Sequence, residues 1–245
     1  MLLSTLNFIK QSVQDFILFI LSPKGYTTET IQAQQKILAS IVLLVLKFCF
    51  SILIAGLIGL FYEPKNLTDQ SLSERFTPFL YLIIGGLVLP CLEEILFRLS
   101  LKFKPIYLIS TCICVGYYVS TKFIFDSRLS SFDDTFMYRI CIGLCTGILA
   151  FILLSNKQFS AYLRKVWIQK FTFIYYISAI VFAWLHIFNF ELNLVNILLL
   201  PFLTLPQLFS GLIMGYMRIN FGFQYPLFFH MATNSLLVGL DILVK

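Results

Sequence analysis

Charged side chains are scarce in this chain. They make up 12% of its 245 residues, against about 25% in a soluble domain. Apolar residues account for 59%, a balance that excludes a soluble globular protein and, through its abundant apolar and aromatic surface, disorder as well. A soluble basic face is also lacking, so the net charge of +6 does not imply a nucleic-acid partner. The basic residues fall between hydrophobic runs, as in cytoplasmic loops facing anionic lipid, and membrane lipids are the expected partners. No basic stretch opens the chain, and Lys10 and Asp15 interrupt its first apolar run, so a secretory signal is not expected. None of the six cysteines (Cys49, Cys91, Cys112, Cys114, Cys141, Cys145) falls in a polar loop. They read as small apolar residues for helix packing, not as a disulfide set or metal site.

Long apolar runs are what the chain has instead. A helix crosses the hydrocarbon core with about 20 apolar residues. Candidate spans fall at 37–62, 77–101, 106–125, 136–155, 171–190, 194–217 and 224–243. Residues 2–22 form an amphipathic or marginally spanning helix, which could lie at the interface. The expected architecture is an all-α polytopic membrane protein of seven to eight transmembrane helices with its site inside the bundle. No internal repeat or low-complexity linker divides it. Residues 1–36 form an N-terminal helix and loop, and 37–245 form one membrane-embedded domain.

Lys and Arg in short loops set orientation. One face collects Lys24, Lys36, Lys102, Lys104, Lys157, Arg164, Lys165, Lys170 and Arg218. The other has Lys65, Arg75, Lys122, Arg128 and Lys245, diluted by Glu63, Asp69, Glu74, Asp126, Asp133, Asp134 and Glu191. The first face is expected to be cytoplasmic. At 1.5 Å per residue, Glu93 lies roughly 14 Å from the Lys102 end of its helix, and His230 roughly 10 Å beyond Phe223. His186 lies at about 15–17 Å from an interface marked by Tyr175 and Tyr176.

Ionisable groups inside these spans carry the functional signal. Insertion scales put such a side chain at mid-bilayer at about 2.5–3.5 kcal/mol, so it rarely persists without a partner or a task. In Glu93-Glu94-Ile-Leu-Phe-Arg98, the i,i+4 spacing pairs Glu94 with Arg98. Glu93 is rotated about 100° away and is left to face a cavity as a candidate general base. The only histidines are His186, which ends the aromatic stretch from Phe182, and His230, an i,i+4 neighbour of Asn234. Two convergent donors such as His230 and Asn234 suit an oxyanion, although either could be an interhelical hydrogen-bonding residue. Pro201 and Pro206 should kink the span at 194–217. Gly211 and Gly215 allow close helix approach there, and Gln207 could touch the site. Two histidines and a glutamate could also ligate zinc, but His-Glu-x-x-His is absent and the candidates sit on separate helices. A metal-independent site is expected.

In order, Glu-Glu-x-x-x-Arg (93–98), Phe-x-x-x-His (182–186), the glycine-bearing stretch 205–215 and His-x-x-x-Asn (230–234) resemble the signature of the CPBP family. These are the CAAX proteases and bacteriocin-processing proteins, and the resemblance covers about residues 77–240. It implies an all-helical intramembrane glutamic endopeptidase with its cavity opening to the cytosol. By motif, Glu93 would activate water and His186 would position it. His230 and Asn234 would stabilise the oxyanion, while Glu94 and Arg98 would hold the architecture. One departure stands out: 83 residues separate Arg98 from Phe182, where the family has one short connection. The excess fits two extra spans, 106–125 and 136–155.

The resulting expectation is a protease in the inner (plasma) membrane of a bacterium, acting near the cytoplasmic face. Its substrate would be a peptide or protein, membrane-anchored or lipidated in some relatives. The chain's own terminus, Asp241-Ile-Leu-Val-Lys245, carries no prenylation motif. The alternatives are a proton-coupled transporter, since intramembrane ionisable groups also build relays, and a non-catalytic immunity or assembly protein.

Overall fold

The computed structural model describes residues 2–26, 31–65, 67 and 72–244. Asp69 and Lys245, named above among the charged residues of the second face, lie outside them. Every regular element among the described residues is a helix. In chain order these are α1 (Leu2–Leu21), α2 (Ala33–Gly59), α3 (Pro78–Leu101), α4 (Pro105–Ile124), α5 (Phe136–Ser155) and α6 (Lys157–Gln169). They are followed by α7 (Phe171–Asn189), α8 (Leu194–Leu198), α9 (Leu200–Leu203), α10 (Leu205–Asn220) and α11 (Gln224–Val244). Six of them, α2, α3, α4, α5, α7 and α11, are long and apolar enough to cross a membrane. Large hydrophobic side chains such as Ile52, Phe61, Phe123 and Phe173 stay exposed along them. In a water-soluble protein so much exposed apolar surface would drive association; here it is a lipid-facing surface.

The span expected at 194–217 is broken into three helices. Pro201 and Pro206 each sit in the first turn of a new helix, where a missing N–H and a fixed φ are tolerated. The chain therefore restarts at each proline instead of merely kinking. The last piece, α10, is the central post of the bundle. From Ser210 to Ile219 all but Leu212 are buried, because Gly211 and Gly215 let α7 come against its backbone. A Cβ on Gly215 would lie 2.5 Å from the Tyr175 ring, and one on Gly211 would lie 3.2 Å from Phe182.

The N-terminal helix is fastened to this post. Phe16 is buried and meets Phe209 and Tyr216 edge-on, with ring centroids 5.8 and 5.7 Å apart. Farther along, Tyr176 donates to the Ile20 carbonyl and Thr172 to that of Pro23. The two extra spans pack on each other as an α4–α5 hairpin. Glycines on both helices, Gly116, Gly143 and Gly147, leave room for close approach. Thr146 completes the contact by donating to the Cys112 carbonyl at 2.9 Å.

Residues 157–169, treated above only as part of a basic connection, form the amphipathic helix α6. Asn156 caps it by accepting from the amides of Gln158 and Phe159 at 2.9 and 3.1 Å. None of its residues is buried.

Candidate functional site

The carboxylates sit on α3, and the shape of that helix decides how they meet the histidines. A π turn, Ile84–Val88, interrupts it one turn before the acidic pair. Gly85 and Gly86 lie in this turn against α11. A Cβ on Gly86 would come within 2.7 Å of Ser235 Oγ, and one on Gly85 within 3.3 Å of Val238. Close approach here keeps α11 against α3 as it runs on to His230. π turns of this kind recur at functional positions.

Arg98, Glu94, His230 and Glu93 form one connected chain. Arg98 Nη1 lies 3.3 Å from Glu94 Oε1, the i,i+4 pair expected from the spacing. The same oxygen accepts from His230 Nδ1 at 2.9 Å. On the other side of the ring, His230 Nε2 lies 3.6 Å from Glu93 Oε2. The imidazole is therefore flanked by both carboxylates, an arrangement the i,i+4 spacings did not reveal. Glu94 and Arg98 are sealed at 0% and 1% exposure, whereas the Glu93 side chain is 23% exposed. The sealed pair supports the ring and the accessible carboxylate faces open space.

Phe182 organises the surroundings. The Arg98 guanidinium stacks 3.7 Å from its ring centre, and both histidines meet the ring edge-on, His186 at 4.7 Å and His230 at 5.8 Å. Gly211 makes the stack feasible, since a Cβ there would come 3.3 Å from Arg98 Nη2. His186 Nδ1 lies 2.7 Å from the Phe182 carbonyl, which can only accept, so Nδ1 carries the proton and Nε2 is left for other partners. Asn234 Nδ2 donates to the Gly85 carbonyl at 3.4 Å, which links the His230 helix to the π turn.

These groups line a cavity of about 730 Å³. Glu93, His186, His230, Asn234, Phe182 and Gln207 all contribute to its wall. Glu94 and Arg98 lie behind that wall, and Gly211 and Gly215 serve packing. Lining residues that went unnoticed as site candidates include Lys47 and Ser51 on α2, and Thr233 on α11. Lys47 carried the same signal as Glu93, an ionisable group in mid-span. It has no charged neighbour at i,i+4, so no local motif drew attention to it.

The cavity wall follows α3 from Phe97 through Glu93, Leu89 and Gly85 to Tyr81, and α11 from His230 through Asn234 to Asp241. It ends among Arg75, Lys122, Arg128 and Asn189. All of these lie on the face opposite Lys102, so the lining extends towards that face. The Lys102 end is closed by packing. Buried Arg218 donates to the carbonyls of Arg98 and Leu99 at 3.1 and 2.8 Å, and buried Tyr175 donates to that of Leu212 at 2.7 Å. At the mouth, Arg75 donates to the Ser130 carbonyl at 3.1 Å. Partial burial, and then the like charge of Arg128, hold its guanidinium below its ordinary value.

A separate apolar cleft of about 370 Å³, between α2 and the α8–α10 segment, is lined by residues such as Ile54, Phe61 and Phe202 and has no titratable group except Tyr62. Among the described residues, no group of three or more His, Cys, Asp or Glu side chains is arranged to hold a metal ion. No protein-family model, curated protein or solved structure matches this chain.

Proposed function

We propose that this chain is an intramembrane endopeptidase of the CPBP type, working in a bacterial inner membrane. One observation carries the reading: an accessible carboxylate, Glu93, beside a histidine that a sealed carboxylate–arginine pair orients, at the floor of a cavity large enough for a peptide segment.

In this mechanism Glu93 takes a proton from water, and the resulting hydroxide attacks the scissile carbonyl. The His186 ring nitrogen not bonded to Phe182 holds the water. His230 presents Nε2, because Nδ1 is engaged by Glu94. When protonated, that nitrogen can donate to the oxyanion together with the Asn234 amide. The C–N bond then breaks, and Glu93 returns its proton to the leaving amine and becomes a carboxylate again. Substrate enters from the Arg128 end of the cavity. By the Lys and Arg distribution, that mouth faces away from the cytoplasm.

The same chain of ionisable groups could move protons in a transporter, and one experiment separates the readings. Protein termini are compared in cells expressing wild-type or Glu93→Gln protein at equal membrane levels. New termini that require Glu93 are the expected result. Identical termini from two folded, equally abundant proteins would overturn the peptidase reading.

A further inference from the structure

The α2 wall of the cavity has no role in the mechanism above, yet it holds a buried charge with no ion pair among the described residues. Lys47 sits in the middle of α2, 7% exposed. By helical rise it is about 21 Å from the Ala33 end and about 18 Å from the Gly59 end, too far for its side chain to reach either interface. Among the described residues its ammonium meets only the Phe48 ring, at 4.2 Å, and pairs with no carboxylate. One turn on, Ser51 lines the same cavity with its hydroxyl buried and without a partner, and from α10 the Gln207 amide oxygen does the same. A buried ammonium has three donors and no acceptor, and leaving it without a counter-charge is strongly unfavourable. The cavity as a whole is biased the same way. Its lining has four cations, Lys47, Arg75, Lys122 and Arg128, against two carboxylates, Glu93 and Asp241. Such a cleft concentrates anions.

We propose that Lys47, assisted by the Ser51 hydroxyl, is the receptor for a carboxylate on the substrate. The substrate class is then a peptide with a negative charge close to the scissile bond, either its free C-terminus or an acidic side chain. This rests on the peptidase reading and adds to it the feature that selects substrate. The carboxylate neutralises Lys47, while Glu93 across the cavity attends to the peptide bond.

The test measures binding, so it does not depend on cleavage. Full-length protein in phosphatidylcholine nanodiscs is titrated with three fluorescent Leu/Phe tetrapeptides. One has a free C-terminus, one a C-terminal amide, and one a C-terminal amide with a penultimate Glu. Wild-type protein should bind at least one of the carboxylate peptides about tenfold or more tighter than the plain amide, as a charge-assisted hydrogen bond implies. Whichever it is identifies the source of the carboxylate. Lys47→Met should bring the preference close to unity, and Lys47→Arg should retain it. Equal binding of all three peptides by wild type overturns the proposal, as does a preference that survives in Lys47→Met. If Lys47→Met does not fold, Lys47→Gln, polar but uncharged, replaces it with the same expected loss of preference. A carboxylate preference in a protein that yields no Glu93-dependent termini would sink the peptidase reading and leave the receptor standing.

Discussion

Of the three buried arginines, Arg98, Arg139 and Arg218, the two most deeply buried, Arg98 at 1% exposure and Arg139 at 0%, are accommodated in different ways. Arg139 is held by the nearby α4–α5 connection. It donates to the carbonyls of Arg128 and Ser131 at 3.1 and 2.6 Å and to Asp133 Oδ1 at 3.1 Å. All its acceptors lie within a dozen residues, and Asp133 itself is 41% exposed. Arg98 has one local carboxylate, Glu94, but the rest of its environment comes from Phe182 on α7 and Gly211 on α10. Among the described residues neither of its terminal nitrogens finds a hydrogen-bond partner. The first arginine staples a hairpin at the membrane edge. The second tensions a carboxylate that in turn aims His230 at Glu93. Complete burial alone does not mark a functional charge; what else the partner carboxylate holds is the better guide.

Exchanging each arginine for methionine sharpens this contrast. Arg98→Met leaves Glu94 buried without its cation, which should lower stability by about 3–5 kcal/mol. It should also abolish the Glu93-dependent cleavage proposed above; stability in detergent and product termini report the two effects separately. Arg139→Met should be milder, about 1–3 kcal/mol, because most of its former acceptors lie near the surface and can regain water. Cleavage should continue. Equal loss of cleavage in both variants would break the distinction.

Smaller effects are expected from the glycines. Gly215→Ala pushes a methyl into the Tyr175 ring at 2.5 Å and should destabilise by about 1–3 kcal/mol. Gly239→Ala meets open space and should leave unfolding nearly unchanged. Thermal unfolding of the purified variants measures the difference.

The smallest effect is a pH dependence confined to the hairpin. Hydrogen bonds from Ser127 and then Thr135 are the main reasons the Asp133 carboxyl is lowered from 3.8 to about 2. A depressed carboxylate contributes stability that is fully present above its unfolded value and lost as pH falls through its folded one. Wild type should therefore lose stability relative to Asp133→Asn only below about pH 4, with most of the loss complete near pH 2. A gap that instead closes between pH 8 and 6 would show that Asp133 is not the titrating group.

Much of the fold was legible in the hydropathy pattern. The run at 136–155 matches α5 to the residue, and the ends of α3, α4, α7 and α11 fall within about a residue of expectation. The segment at 194–217 was misjudged because apolar content does not report where a proline restarts a helix. Of the site, the Glu94–Arg98 pair was legible because i,i+4 geometry is local. Lys47 was not, because nothing near it in sequence says which helix it faces.

The sequence by itself determined a membrane protein with ionisable groups too costly to leave idle, since burial energetics and helical spacing are properties of short stretches. Only the tertiary structure decided that His230 lies between Glu93 and Glu94, 136 residues from the latter. It also decided that Lys47 lines the same cavity as Glu93 and His230 and that this lining extends towards the face opposite Lys102. Those outcomes depend on how α2, α3, α7, α10 and α11 rotate and close on one another. That is settled by glycines, a π turn and aromatic packing between helices distant in the chain.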